Sequence, residues 1–176
     1  PFHQWVPDVY MGSPTPVTSF MAGAVKVAAF GGLLRVFYVA FGALVWDWRP
    51  LIWVVAGLTM VVGSVIALAQ SDFKRMLAYS SISNGGFILV GFSATNRPAI
   101  AAVLIYLIAY AFATVGAFAL LTLIREQAGE SSTLIRWKGL GKKSPLVASL
   151  MSLFMLSFAG IPLTSGFTAK FGVFTA

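Results

Sequence analysis

VTSFMAGAVKVAAFGGLLRVFYVAF, residues 17–41, carries only two charges, Lys26 and Arg35, in a run otherwise made of apolar and small or neutral side chains. A helix rises about 1.5 Å per residue, so this stretch is long enough to cross the roughly 30 Å of hydrocarbon in a bilayer. LIWVVAGLTMVVGSVIALAQ, residues 51–70, is as long as a crossing requires and has no charge at all. Neither run alternates apolar and polar residues as the strands of an outer-membrane barrel do. Together they decide the fold class: an all-α membrane protein, a polytopic bundle of transmembrane helices.

The rest of the chain agrees. Of its 176 residues 59% are hydrophobic and only 10% are charged, with a mean hydropathy of +0.88, whereas soluble domains carry about 25% charged residues. About five spans are expected, at 17–41, 51–70, 73–93, 98–124 and 145–174, the last interrupted by GIP at 160–162 and by Gly166. Residues 1–16, PFHQWVPDVYMGSPTP, hold four prolines among aromatics and read as an irregular connection at the membrane interface. WDWRP, 46–50, reads as a hydrophilic turn, and residues 125–144 as a surface connection. The chain starts without Met and stops as an apolar segment resumes, so a piece of a longer polypeptide is expected.

The formal charge of +7 does not point to nucleic acid, because the basic residues sit in short connections. Alternating crossings place Lys74, Arg75, Arg125, Arg136, Lys138, Lys142 and Lys143 on one face, against Arg35, Arg49 and Arg97 on the other. Seven against three makes the first face, with connections 1–16, 71–75 and 125–144, cytoplasmic. The absence of cysteine excludes disulfides, thiol nucleophiles, thiolate metal sites and Cys-ligated iron–sulfur clusters from these residues. No metal site is expected, and any redox chemistry belongs elsewhere.

Lys26 lies roughly 13 Å into its span, near the bilayer midplane, where insertion of a lysine costs about 2.5–3.5 kcal/mol. Such a residue faces a protein interior or a wet cavity. Its helical neighbours Ser19, Ala22, Gly23 and Ala29 are all small, which suits either close helix contact or room for water. Arg35 points to the other side of the helix and reads as an interfacial anchor. Lys170, in LTSGFTAKFGVF, follows the break, whose unpartnered carbonyls suit a nearby cation. The alternative for Lys170 is an interfacial residue of a helix that ends there. All five carboxylates lie in connections, so neither lysine has an acid partner in a span. Burial without a counter-ion makes gain and loss of a proton accessible near neutral pH.

Tyr106, Tyr110 and Thr114 recur every four residues on one helix face, where their hydroxyls could extend a hydrogen-bonded chain or simply pack. His3 suits proton uptake or a structural role at the interface. Tyr79, Ser80, Ser81, Ser83 and Asn84 make the third span polar, for conduction or for tight packing. Asp8 reads as fixing its connection through backbone hydrogen bonds, and Lys74 and Arg75 as cytoplasmic anchors.

PFHQWVPDVYMGSPTPVTSFMAGAVK, SDFKRMLAYSSIS and AGIPLTSGFTAKF, in that order and spacing, resemble the antiporter-like membrane subunits of bacterial proton-pumping NADH:quinone oxidoreductase, respiratory complex I, and within them the subunit N branch. The resemblance covers the whole chain. It implies a fourteen-helix fold with two inverted five-helix repeats, of which these residues correspond to helices eight to twelve. Lys26 then matches the central lysine of helix eight and Lys170 that of broken helix twelve, both in a midplane chain of polar residues that moves protons outward as quinone is reduced elsewhere. The implied setting is the bacterial inner membrane, among other complex I membrane subunits and lipid. No cofactor is implied in this chain; FMN, iron–sulfur clusters, NADH and quinone would belong to other subunits. Some relatives carry histidine where Asn84 stands, and the larger siblings have His and Lys near the positions of Tyr110 and Thr114, so a path here would rely on hydroxyls and water. The family's helix-seven lysine and helix-five glutamate would lie upstream of Pro1. Two other readings are a subunit of a multisubunit cation/proton antiporter, in which the same lysines exchange Na⁺ for H⁺, and a structural membrane-arm module.

Overall fold

Asp72 and Asn96 both stand where a helix needs a side-chain acceptor, and both provide it. Asp72 accepts from the Arg75 N–H at 3.1 Å and Asn96 from the Ala99 N–H at 2.7 Å, starting the helices α5 (Phe73–Ser93) and α6 (Arg97–Leu121). The computed structural model describes residues 3–123, 125, 126, 129, 130 and 132–176. Among them run α1 (Trp5–Gly12), α2 (Thr15–Phe20), α3 (Lys26–Arg35), α4 (Val45–Leu68), α5, α6, the one-turn α7 (Leu140–Lys143), α8 (Pro145–Ala159) and α9 (Ser165–Thr175). Strands Arg125–Glu126 and Gly129–Glu130 pair antiparallel in a minimal hairpin. The side chain of Arg125, counted in the charge bias, lies outside the described residues, as do those of Glu126 and Glu130 and the whole of Pro1 and Phe2.

Two segments read as irregular are helical. Within residues 1–16, α1 forms because Pro7 sits in its first turn, where an N–H would have no helical acceptor anyway, and Pro16 likewise begins α2. WDWRP is the start of α4, which tolerates Pro50 in its second turn at the loss of one hydrogen bond. The helix from residue 97 stops at Leu121 rather than 124.

Among the described residues three helical stretches are long and apolar enough to cross a membrane: Thr15–Ala40, which contains α2 and α3, Gly42–Leu68, which contains α4, and Arg97–Leu121. α5, with 21 residues, is shorter and less apolar because it runs through the middle of the bundle, where Ser81, Ser83 and Asn84 are buried by protein. It packs most extensively on α4, and also on α1, α6 and α9. Two apolar clusters divide the bundle along its axis. One, around Tyr10, Phe73, Leu77, Phe118 and Leu121, lies toward the connections; the other, around Trp48, Ile88, Phe92 and Val103, lies toward the opposite end. The lysines and hydroxyls fall between them.

The connections that charge bias assigns to one face are physically joined. Phe73 N–H donates to the Ser132 carbonyl at 2.7 Å and Leu134 N–H to Ser71 at 2.9 Å. The Phe73 ring stacks on Trp137 at 4.5 Å. Asp8, instead of bonding backbone, pairs with Arg75 at 3.3 Å. Lys74 is no exposed anchor: only 5% exposed, it donates to the Ser13 carbonyl at 3.1 Å and ties the α1–α2 corner to α5.

α8 and α9 are the halves of one interrupted helix. Gly160 adopts φ +79, its N–H donates to Ser157 O at 3.0 Å, and Ile161 N–H to Leu156 O at 3.1 Å, the two bonds of a Schellman ending. Leu163 is also left-handed, at φ +77, so the chain turns twice before Thr164 caps α9 through its bond from the Phe167 N–H. Gly160→Ala puts a β-carbon in a left-handed conformation and 2.8 Å from Lys170 Cδ. We expect a cost of about 1–2 kcal/mol, read as a lower thermal midpoint of the purified assembly; an unchanged midpoint would mean the break does not hold this geometry.

Candidate functional site

The turn that delivers Lys26 is not a regular one. Met21–Val25 is π-helical and ends directly at Lys26, a local widening that recurs at functional positions. Ala22 and Gly23 are buried against α6, where a β-carbon on Gly23 would meet Val115 Cγ2 at 3.2 Å, while Ala29 lines a cavity beside Lys26. The small stripe thus serves both helix contact and open space, the two uses left undecided by sequence.

Lys26 Nζ donates to the Ser81 carbonyl at 2.6 Å and to the Ser81 hydroxyl, and it sits 4.6 Å from the centroid of the Tyr110 ring. The cavity on its other side, about 350 Å³, is bounded by His3, Trp5, Tyr10, Phe30, Thr59 and Ser81 among others, so His3 shares a space with Lys26. Lys170 Nζ donates to the carbonyls of Phe158 at 2.6 Å and Ala159 at 3.3 Å, the oxygens that the Schellman ending leaves over, and lies 4.4 Å from the Phe87 ring centroid. Among the described residues no carboxylate pairs with either amine. Both cations are held by neutral oxygens and aromatic faces.

The two lysines do not touch. Between them stand α6 and α5. Tyr106 and Tyr110 stack at 6.5 Å, and Tyr106 Oη donates to Asn84 Oδ1 at 2.7 Å. Asn84 Nδ2 in turn donates to the Ser80 carbonyl at 2.9 Å and hydroxyl at 3.3 Å. A void of about 10 Å³ lies among Asn84, Tyr106, Tyr110, Ser157 and Phe158, close to the space one water occupies. Asn84 and Phe158 also border the cavity of Lys170. Tyr110, Tyr106, Asn84 and the void thus lie between the surroundings of Lys26 and those of Lys170. Thr114 is not bonded into them: its Oγ1 is buried and, among the described residues, has no hydrogen-bond partner.

Tyr10 escapes the sequence reading, and Ser81 enters it only as one member of a polar run. Tyr10 is 4% exposed and packs edge-on against Phe118 at 6.0 Å; burial raises its pKa, so it stands as a neutral hydroxyl on the same cavity as Lys26 and Ser81. Ser81 was one of several polar residues on α5 with nothing to set it apart. Nothing local marks Tyr10, because only the helical course of α1 brings it to the lysine.

Tyr106→Phe removes the donor to the buried Asn84 oxygen. The expected loss is about 1 kcal/mol, seen as a lower thermal midpoint that Tyr106→His, which keeps a ring N–H, partly restores; equal stability of the Phe variant would show that the bond is not made in the assembled protein.

The family model described as NADH:quinone oxidoreductase/Mrp antiporter, transmembrane, matches residues 1–176. NADH-quinone oxidoreductase subunit N of Acidothermus cellulolyticus is 60% identical over 176 residues, covering 100% of this chain and 34% of the relative. The same subunit of Rhodococcus opacus is also 60% identical, with 33% of its length covered. The chain thus spans about a third of the curated relatives it matches. A chain in the solved structure of respiratory complex I from Thermus thermophilus with bound aureothin superposes with TM-score 0.83 at 40% identity, over 99% of this chain and 38% of that one. A chain of the membrane-bound sulfane sulfur reductase, an archaeal respiratory membrane complex, superposes with TM-score 0.87 at 26% identity, over 99% and 36%.

Proposed function

This chain belongs to the NADH:quinone oxidoreductase/Mrp antiporter transmembrane family, and from that premise we propose that it is part of a proton-translocating membrane-arm subunit of NADH:quinone oxidoreductase. Redox chemistry takes place in other subunits, which hold FMN and iron–sulfur clusters and use NADH and quinone. The residues described here move protons through Lys26 and Lys170. The subunit lies in the bacterial plasma membrane among other membrane-arm subunits and lipid, with residues 1–16, 71–75 and 125–144 on the cytoplasmic side.

One observation carries the reading: two amines inside the helical bundle, each held, among the described residues, by neutral oxygens and an aromatic face. A lysine pinned by a carboxylate would keep its proton, whereas these can give it up without stranding a buried anion. Tyr110, Tyr106 and Asn84 span the gap between them, and a water in the void beside Ser157 completes it. Reduction of quinone elsewhere shifts hydration and charge along this line, and the amines load and unload in turn.

The test is purification of the native complex through a tag on the full-length subunit. Recovery with an arm that oxidises NADH, and acid pumping on adding NADH and quinone, is the expected result. Na⁺-dependent transport with no redox partner would replace this reading with a cation/proton antiporter.

A further inference from the structure

A lysine that changes protonation inside a protein needs two kinds of partner. As an ammonium it has three N–H donors and no lone pair; as a neutral amine it has two N–H donors and one lone pair, which costs free energy when buried unless a donor reaches it. A backbone carbonyl only accepts. A hydroxyl accepts through its lone pairs and also donates its hydrogen, turning about its C–O bond to suit.

Buried Ser81, on α5, presents both groups to Lys26, whose Nζ donates to the Ser81 carbonyl at 2.6 Å and to the Ser81 hydroxyl. Among the described residues that hydroxyl gives its own hydrogen to no backbone carbonyl. Other hydroxyls near it are committed. Thr59, across the cavity beside Lys26, donates to the Val55 carbonyl at 2.6 Å. Ser83 is engaged by Ser64 at 2.8 Å and the Met60 carbonyl at 3.3 Å, and Ser93 donates to the Val90 carbonyl at 2.7 Å. Tyr110 turns its ring face to the amine, and His3 and Tyr10 border the same cavity. Lys170 makes the contrast: its hydrogen bonds go to the carbonyls of Phe158 and Ala159, which serve its N–H groups and offer nothing to a lone pair.

We propose that the Ser81 hydroxyl holds Lys26 in both protonation states, accepting from the ammonium and donating to the lone pair of the neutral amine. This rests on the proton carriage by Lys26 proposed above. The ammonium gives its proton to a water, which becomes hydronium and passes it on. One N–H stays on the Ser81 carbonyl, and the Ser81 O–H rotates and donates to the nitrogen; the reverse sequence reloads the amine. Ser81 keeps its own proton throughout, so it positions the amine and is not a stage of the transfer. The nitrogen therefore stays at the Tyr110 face in either state.

Three substitutions in the native complex test this. Ser81→Ala removes the hydroxyl and keeps the carbonyl. Ser81→Thr keeps the hydroxyl and adds a methyl, and Ser81→Val has the shape of Thr without the hydroxyl; the cavity of about 350 Å³ that Ser81 borders gives the added methyl room. Initial rates of NADH-driven acid pumping by membrane vesicles are divided by the amount of assembled complex. The Ala and Val variants are expected to pump about tenfold more slowly, the factor set by one lost hydrogen bond to a buried charged group, and the Thr variant to stay within about twofold of the unsubstituted protein. Normal pumping by Ser81→Ala, a loss that Thr does not restore, or one that Val restores equally would overturn the proposal. If Ser81→Ala pumps normally while Lys26→Met does not, the part given to the hydroxyl is refuted and the proton-translocating function stands. If Lys26→Met pumps normally, that function loses its carrier whatever the Ser81 variants do.

Discussion

Replacing Lys26 with Met is expected to abolish proton translocation by the complex while the subunit still assembles. Met keeps the length and the apolar stem of lysine and discards the amine, so α2 and α3 retain their contact with α6 through Ala22 and Gly23. Losing the donor frees the Ser81 hydroxyl and carbonyl from Lys26, and both face a cavity that Tyr10 also borders. The loss is therefore one of proton carriage, not of fold. Acid pumping driven by NADH in vesicles, set against the amount of assembled complex, reads it. Lys26→Arg separates charge from exchange: it preserves a cation that does not release its proton, and it is expected to pump no better than Met. Normal pumping by either variant would remove Lys26 from the path.

The second large effect falls on the helix break. Gly166→Ala is expected to prevent α8 and α9 from packing, because its β-carbon would lie 1.7 Å from the Ser157 carbonyl oxygen. That oxygen is backbone and cannot turn aside. The substitution also pushes away the Gly166 N–H, which donates to Ser157 Oγ at 3.2 Å. Overpacking of this kind costs about 1–3 kcal/mol, and more where neither partner can move. With α9 displaced, Lys170 loses its two carbonyl partners, so yield of assembled complex and pumping fall together. Gly172→Ala is the control on the same helix: its β-carbon meets only Ala102 Cβ at 3.5 Å, ordinary contact. Full assembly of the Gly166→Ala protein would mean that the two half-helices do not meet as described.

What sequence makes legible here is whatever has a length or an energy attached. Runs of apolar residues announce membrane helices because hydrocarbon thickness sets their length. Lys26 and Lys170 stand out because a lysine in such a run is costly, and the interruption at GIP is readable because Gly160 can turn left-handed and Pro162 cannot continue a helix. α1 and the start of α4 were read as loops since proline-rich, polar stretches usually are, and only the position of Pro7 and Pro50 relative to the free ends of helices reverses that.

The site was less legible than the fold. Tyr110 could be placed on a polar face of α6, but its contact with Lys26 depends on how three helices cross. Ser81 and Asn84 lay in a run of similar polar residues; which one meets the lysine and which meets Tyr106 is decided by the rotation of α5 against its neighbours. Lys74 illustrates the opposite error, since a basic residue at a helix start looks like an anchor until its burial beneath the α1–α2 corner is seen.

The central claim is that the space between Lys26 and Lys170 conducts through hydroxyls and water. A density map of the intact complex, at a resolution that shows ordered solvent, tests it most directly. A water in the void bounded by Tyr106, Tyr110, Asn84 and Ser157, within hydrogen-bonding distance of at least two of them, is the predicted result. A void that is dry, with both tyrosine hydroxyls turned to other partners, would contradict it.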